Sequence, residues 1–443
     1  MTYSDQGFSK LSRQYHNCIL NHVCKGKQVH SNRPILINSW EAFYFDFDAP
    51  KLLGLADAAA DLGMELFVLD DGWFGKRDDS TSSLGDWYPN EEKLKGTLKE
   101  LAEKINAKGL KFGLWIEPEM TNKDSDLYRA HPDWLLAEQG KRICHSRTQY
   151  VLDFSKKEVR EYIGDMLENL LAEVPVSYIK WDMNRTFSEV FSNGNDREYQ
   201  GKVCHKYILG VYELYERLTS RFPHVLFESC ASGGARFDPG MLYYAPQGWT
   251  SDDTDAIERL KIQYGTSMVY PVSCMGSHVS ASPNHQTNRV TPLETRADVA
   301  YFGTFGYELD LLKLGEEDKA EIRRQIAFMK EKRDLIQKGT FYRLKSPFEG
   351  NETAWMIVSE DQKKALVGYY RVMQPVNVGF KRLKLKGLKE DTCYKVSGYA
   401  YDCYGDELMQ VGMILSDSAS GVWKKGVNDK GDFQAEVFEI VAV

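Results

Sequence analysis

Residues 176–185 read VSYIKWDMNR, an apolar run from Val176 to Ile179 that ends in Lys180, Trp181 and Asp182. The run is too short for a helix of ordinary length and reads as a buried strand. A carboxylate at the tip of such a strand is costly to desolvate unless it is paired or has a chemical task. The same construction recurs along the chain. RPILINSWE (33–41), ELFVLDDGW (65–73), LKFGLWIEPE (110–119), QYVLDFS (149–155), HVLFESCASGG (224–234), QGWTSDD (247–253) and YPVSCMGSH (270–278) all read as strands, and most end in charged or aromatic residues.

Helical segments separate most of these runs. Asp48 caps one, with Pro50 in its first turn and Gly63 at its end. Another carries Leu94, Leu98, Leu101 and Ile105, and Ser155 with Glu158 spells a capping box for a third. Eight strands over roughly 270 residues match a (β/α)8 barrel in number and size. A doubly wound open sheet is the competitor, but no G-x-G-x-x-G opens a helix and no Walker sequence is present. The expected architecture is therefore α/β: a (β/α)8 TIM barrel over 32–338, followed by a small C-terminal antiparallel β-sandwich domain over 339–443. A charged helix (316–338) follows the barrel strands, and short alternating segments such as AWMIVSE and KALVGYYRV then mark the second domain. Residues 1–31 read as an N-terminal connecting helix.

Composition narrows the function. The chain has 443 residues, 42% hydrophobic and 27% charged, with 64 acidic against 56 basic residues and a net charge of −8. That balance, without a Lys/Arg block, excludes a nucleic-acid partner. No apolar run approaches the ~20 residues of a membrane span, and MTYSDQGFSK lacks a signal-peptide pattern, so a cytoplasmic protein with no membrane partner is expected. The eight cysteines form no CxxC pair and read as reduced thiols. His16, Cys18, His22 and Cys24 resemble a ligand set, but Leu11, Tyr15, Ile19 and Val23 repeat at helical spacing beside them. A surface helix is the simpler reading, since zinc sites show tighter paired spacing. Neither a metal nor a cofactor is expected.

The active site of such a barrel lies at the C-terminal ends of its strands. Trp40 and Glu41 stand there, as do Asp70, Asp71 and Trp73; Trp115, Glu117 and Glu119; Asp153; Lys180 and Asp182; Glu228 and Cys230; and Asp252. Carboxylates and tryptophans on one rim suit a sugar: indole faces stack on a pyranose while carboxylates accept from its hydroxyls. Two carboxylates flanking a glycosidic bond can hydrolyse it without a cofactor. A strand-end aspartate is often only a helix cap. In WTSDDTDAIE, however, Asp255 with Glu258 forms a capping box and leaves Asp252 for the barrel mouth. Asn184 and Thr186 likewise relieve Asp182 of capping. Glu117 and Glu119 are ambiguous, either one suited to bracing Arg147 or Lys180. Asp153 reads as structural, and Cys230 as pocket lining.

LINSWEAFYFDF, LDDGWFGKRDD, GLWIEPEM, KWDMNR, ESCASGGARFD and WTSDDTDAIERLKIQYGTSMVYP together resemble the melibiase-type α-galactosidases of glycoside hydrolase family 36. The resemblance runs from about Asn32 to the C-terminus. It implies a retaining α-galactosidase acting on melibiose, raffinose and related α-galactoside oligosaccharides, with Asp182 as nucleophile and Asp252 as general acid/base. It also implies substrate contacts. Asp70 and Asp71 would hold the 4- and 6-hydroxyls, and Trp40 and Trp115 would wall the pocket. Arg147 and Lys180 would bond ring hydroxyls or orient the nucleophile, Lys180 favouring its ionised form. Cys230 and Gly233 would lie near O2, and Asn184 belongs to the same binding set. Members usually carry an N-terminal β-sandwich domain before the barrel, which helps build the oligomer. This chain is expected to lack it, so a homo-oligomer is admitted and not required. The alternatives are an α-N-acetylgalactosaminidase or galactosyl transglycosylase on the same scaffold, or a weakly active galactoside-binding fragment.

Overall fold

The computed structural model describes residues 2–144, 146–375, 381–415 and 431–443. Eight parallel strands close into a barrel: β1 (Leu36–Asn38), β2 (Leu66–Leu69), β3 (Lys111–Ile116), β4 (Tyr178–Trp181), β5 (Leu226–Ser229), β6 (Gln247–Trp249), β7 (Met275–Ser280) and β8 (Thr304–Glu308). They follow one another around the barrel in chain order. Apart from Lys111, every residue in these strands is buried, as parallel strands covered on both faces require. Leu36, Leu66, Val68, Tyr178 and Leu226, from four different strands, pack as one cluster. Gly113 on β3 makes room for it, because a Cβ there would lie 3.0 Å from that of Tyr178.

The count of eight agrees with the sequence reading, but its membership does not. Gln149–Val151 is extended, yet it pairs antiparallel with Met120–Asn122 in the long excursion between β3 and β4. The eighth barrel strand is Thr304–Glu308, which the sequence reading passes over. An apolar run shows only that a strand is buried, and a rim hairpin buries its strands as a barrel does.

Asp48 caps the helix Ala49–Leu62, accepting the Lys51 N–H at 3.0 Å, and Gly63 ends it at φ 91°. The capping box expected at Ser155 does not form: Lys156 is the N-cap, and the Ser155 hydroxyl donates instead to Asp153 at 2.6 Å. The N-terminal helix, Gly7–Cys18, is less superficial than its sequence suggests. It buries Ser12 and His16, and the His16 ring meets the Ser267 carbonyl at 2.8 Å. Burial pushes the His16 imidazole down to about 4.

After the helix Glu316–Lys338 comes an antiparallel sheet in the order Thr340–Lys345, Glu352–Val358, Lys364–Arg371, Gln434–Ala442, Cys393–Val396, Cys403–Tyr404. Arg382–Leu383 and Met413–Ile414 form a separate two-stranded sheet, and Leu383 and Met413 share one core with Met356, Val367 and Tyr394. By compactness the chain divides into Val23–Asp252 with Tyr307–Lys319, and Met1–His22 with Asp253–Gly306 and Ala320–Val443. Among the described residues no helix is long and apolar enough to cross a membrane.

Phe305 on β8 is 1% exposed and stacks on Tyr301 at 5.1 Å. Phe305→Ala is expected to cost about 3–5 kcal/mol in urea denaturation, the range for emptying a well-packed aromatic site. A cost below ~1 kcal/mol would contradict the placement of this strand in the barrel wall.

Candidate active site

The C-terminal ends of β1–β6 gather the residues that matter. Asp182, one residue past β4, is 6% exposed. Its Oδ2 accepts the Trp115 indole N–H at 3.1 Å and the Asn184 amide at 2.8 Å, and its Oδ1 accepts the Met183 N–H at 2.9 Å. Three donors compensate the burial of this carboxylate, and all three are neutral. Lys180, expected to bond ring hydroxyls or to orient Asp182, pairs with Asp70 at 3.0 Å, and the Asp182 charge also acts on its ammonium. Lys180 is two residues before Asp182 along the chain, whereas Asp70 comes from the end of β2, so the pairing is made across the barrel and not along the strand. Burial opposes the Lys180 charge, but Asp70 and the neighbouring acids outweigh it and hold the ammonium protonated.

Asp70 also accepts from Asn38 at 2.7 Å and from the Asp71 N–H at 2.9 Å. Trp40 opens the turn after β1, where its N–H donates to Asn38 Oδ1 at 2.8 Å. Asp71 is gripped by Arg77 through two bonds, Nε to Oδ1 at 2.9 Å and Nη2 to Oδ2 at 2.7 Å. Each oxygen of Asp70 and Asp71 can accept more than one bond, so these pairings leave capacity for a substrate hydroxyl.

Asn184 links the two sides of the mouth. While its amide donates to Asp182, its Oδ1 accepts both the N–H and the hydroxyl of Ser232, each at 3.2 Å. Arg147 donates to the same hydroxyl at 2.9 Å. Cys230 is buried, with its thiol pushed well up by burial and then by Asp182, which rules it out as a thiolate. Gly233, at φ 82°, packs on the backbone of the β6 loop: a Cβ would stand 2.5 Å from both Asp252 N and Ser251 Cα. Asp252 reaches solvent at the rim, yet the surrounding protein and then the Asp182 charge push its carboxyl up, against Lys180 and Arg147. One carboxyl is thus served by donors while the other is biased toward keeping its proton.

Glu119 and Glu117 brace neither Arg147 nor Lys180. Glu119, fully buried, takes two bonds from Arg236 (2.8 and 2.9 Å) and one each from the Trp181 indole (2.9 Å) and the Tyr207 hydroxyl (2.6 Å). Trp181 stacks on Tyr215 at 4.0 Å and is packing, not lining. Glu117 accepts the Asn184 N–H and, at 3.1 Å, Gln149 Nε2. Burial, then the Asp182 charge, pushes Glu117 up to about 8. Among the described residues the buried Gln149 Oε1 has no partner, so turning that amide over would offer the Glu117 proton an acceptor. Asp153 is structural, bonded to the hydroxyls of Ser155 and Ser192. Asp255 caps its helix, accepting the Ile257 and Glu258 N–H groups.

Arg77, Ser232 and Arg236 are functional residues that the sequence reading does not single out. All three sit inside motifs quoted above, and a buried carboxylate such as Asp71 demands a cation close by.

Residues 1–339 match the Melibiase family and residues 352–440 match the glycosyl hydrolase family 36 C-terminal domain. The chain belongs to the melibiase family, glycoside hydrolase family 36. Alpha-galactosidase AgaA of Geobacillus stearothermophilus is 53% identical over 428 residues, covering 96% of this chain and 59% of the relative. Alpha-galactosidase 1 of Pediococcus pentosaceus is 47% identical over 412 residues, covering 93% and 56%. A crystal structure of substituted AgaA in complex with raffinose superimposes with TM-score 0.95 at 50% identity, covering 100% of this chain and 60% of that one. An alpha-galactosidase from Lactobacillus brevis gives 0.96 at 45%, covering 99% and 59%. The chain thus spans somewhat over half the length of these relatives.

Between the ordinary carboxyl value of 4.5 and about 8, Glu117 holds a proton in the folded chain that it has lost in the unfolded one. Stability therefore falls as pH rises through that window. Glu117→Gln keeps the acceptor for Asn184 and cannot ionise. In urea denaturation it is expected to exceed the parent chain at pH 8 by a few kcal/mol, with the advantage gone near pH 4.5. Parallel stability curves would show that Glu117 is ionised throughout.

Proposed function

We propose that this chain is a retaining α-galactosidase that removes terminal α-linked galactose from oligosaccharides of the melibiose and raffinose type. The observation that carries the reading is the unequal treatment of two carboxyls at one barrel mouth. Asp182 is satisfied by neutral donors alone, and Asp252 is biased toward its protonated form. Pairs of carboxyls whose environments separate them in this way supply a nucleophile and an acid.

In the first step an Asp182 oxygen attacks the anomeric carbon, the glycosidic C–O bond breaks, and the Asp252 proton passes to the leaving oxygen. The product is a galactosyl ester of Asp182. Water then attacks the same carbon, gives its proton to Asp252 and releases the Asp182 carboxylate. Two inversions leave the configuration unchanged, and the carboxyls should stand roughly 5–5.5 Å apart. Asp70, Asp71 and Lys180 are suited to the hydroxyls of galactose, with Trp40 and Trp115 as apolar walls and Arg147, Asn184, Cys230 and Gly233 completing the pocket.

The AgaA crystals support these assignments. The aspartate substituted in the raffinose complex and that substituted in the stachyose complex are separated by the same number of residues as Asp182 and Asp252. Replacing a catalytic carboxylate is one way to retain an unhydrolysed oligosaccharide. The proposal confines the chemistry to the barrel, 32–338, with 1–31 as a connecting helix and 339–443 as a separate sheet domain. A cytoplasmic location agrees with eight cysteines that form no CxxC pair, and a homo-oligomer is the assembly the family reading carries.

Hydrolysis of p-nitrophenyl α-galactoside and raffinose tests the reading. Asp182→Ala and Asp252→Ala are each expected to lower kcat/KM on raffinose by about 10²–10⁴-fold or more. Added azide should yield the β-galactosyl azide from the first and the α-anomer from the second. Protection of the fold by galactose without turnover in the parent chain would overturn the hydrolase reading in favour of a binding fragment.

A further inference from the structure

We propose that Ser232 and Gly233 are positioning residues that set the separation between Asp182 and Asp252. The inference rests on the reading of those two as nucleophile and acid/base.

A continuous path of contacts joins the Asp182 carboxyl to the backbone of Asp252 without passing through substrate. From Asp182 Oδ2 it runs 2.8 Å to the Asn184 amide, and from Asn184 Oδ1 3.2 Å to both the N–H and the hydroxyl of Ser232. Arg147 fixes that hydroxyl from the other side at 2.9 Å. The next residue, Gly233, forms an isolated antiparallel bridge with Ser251 and lies against the peptide that leads into Asp252. Gly234 continues the contact against Thr250. The β5 loop is therefore a spacer, fastened to the nucleophile by hydrogen bonds and to the acid/base by backbone packing.

Two features mark the spacer as held under constraint. Ser232 sits at φ 45°, a region L-residues rarely occupy, and such a conformation persists only where its surroundings over-determine it. The hydrogen bonds to Asn184 and Arg147 are those surroundings. At Gly233 the neighbouring atoms are backbone, which cannot swing aside as a side chain can. Any Cβ there displaces Ser251 and Asp252 outward. Since the gap between the carboxyls decides whether the second acts as nucleophile or leaves room for water, the spacer belongs to the chemistry as well as to the fold.

Gly233→Ala and Ser232→Gly separate this from a merely structural role. In Gly233→Ala the displaced Asp252 no longer reaches the leaving oxygen. Raffinose needs that proton, whereas p-nitrophenolate leaves with little help. The kcat/KM on raffinose is expected to fall on the order of 100-fold further than on p-nitrophenyl α-galactoside. Equal losses on the two substrates, or none, would overturn the proposal. Ser232→Gly tolerates the same φ without strain and removes the hydroxymethyl group with its hydrogen bonds. It should lower kcat on raffinose about 10-fold with KM little changed, and a change confined to KM would count against the spacer. Crystal structures of the parent chain and Gly233→Ala supply a test independent of turnover, in which the carboxyl separation must widen. An unchanged separation refutes the spacer, whereas a widened one in a chain that hydrolyses neither substrate sustains it while the α-galactosidase reading fails.

Discussion

A carboxylate at the end of a buried parallel strand must find hydrogen-bond donors where it stands, and much of the architecture at this barrel mouth answers that requirement for Asp182. One donor comes from β3 (Trp115), one from the turn beyond β4 (Asn184) and one from the adjoining backbone (Met183). The flanking groups are themselves held. The carbonyl of Trp115 accepts the Trp73 indole N–H at 2.9 Å, and Asn184 is fixed by Glu117 and Ser232. The position of Asp182 is thus decided by neighbours on several strands, an arrangement a barrel supplies and a single loop does not.

Charge is distributed with the same economy. Asp71 is matched by Arg77, Asp70 by Lys180 and Glu119 by Arg236. These pairs neutralise buried acids around the barrel mouth. Asp182 is treated differently: its hydrogen-bond partners carry no charge. A nucleophile locked to a cation would be blunted toward an electron-poor anomeric carbon, whereas neutral donors aim the oxygen and leave its charge available. Glu117 is pushed toward neutrality by burial and then by the Asp182 charge, and so adds no second anion beside the first.

Much of this is legible in the chain of residues alone. The strand-tip residues of β1 to β6, the helix capped by Asp48 and the release of Asp252 by Asp255 all follow from local rules of burial and capping. Gln149–Val151 and Thr304–Glu308 do not, because a rim hairpin differs from a barrel strand in its pairing partner, and pairing is not written in an apolar run. Closeness along the chain assigns Lys180 to Asp182, and the closed barrel adds an ion pair with Asp70 that the chain order does not announce. Ser232 and Arg236 escape for a related reason. They act on Asn184 and Glu119, distant in the chain, and only the fold brings those pairs together, whereas Arg77 stands six residues from Asp71 and is within reach of the local charge rule.

The central claim is that the Asp182 oxygen forms the bond to the sugar. A mechanism-based fluorinated galactosyl inactivator followed by peptide mass spectrometry tests it most directly, because the label stays on the attacking residue. Stoichiometric labelling of Asp182, blocked by galactose, is the expected result. Labelling of Asp252 or Glu117, or steady turnover with no covalent adduct, would contradict the account.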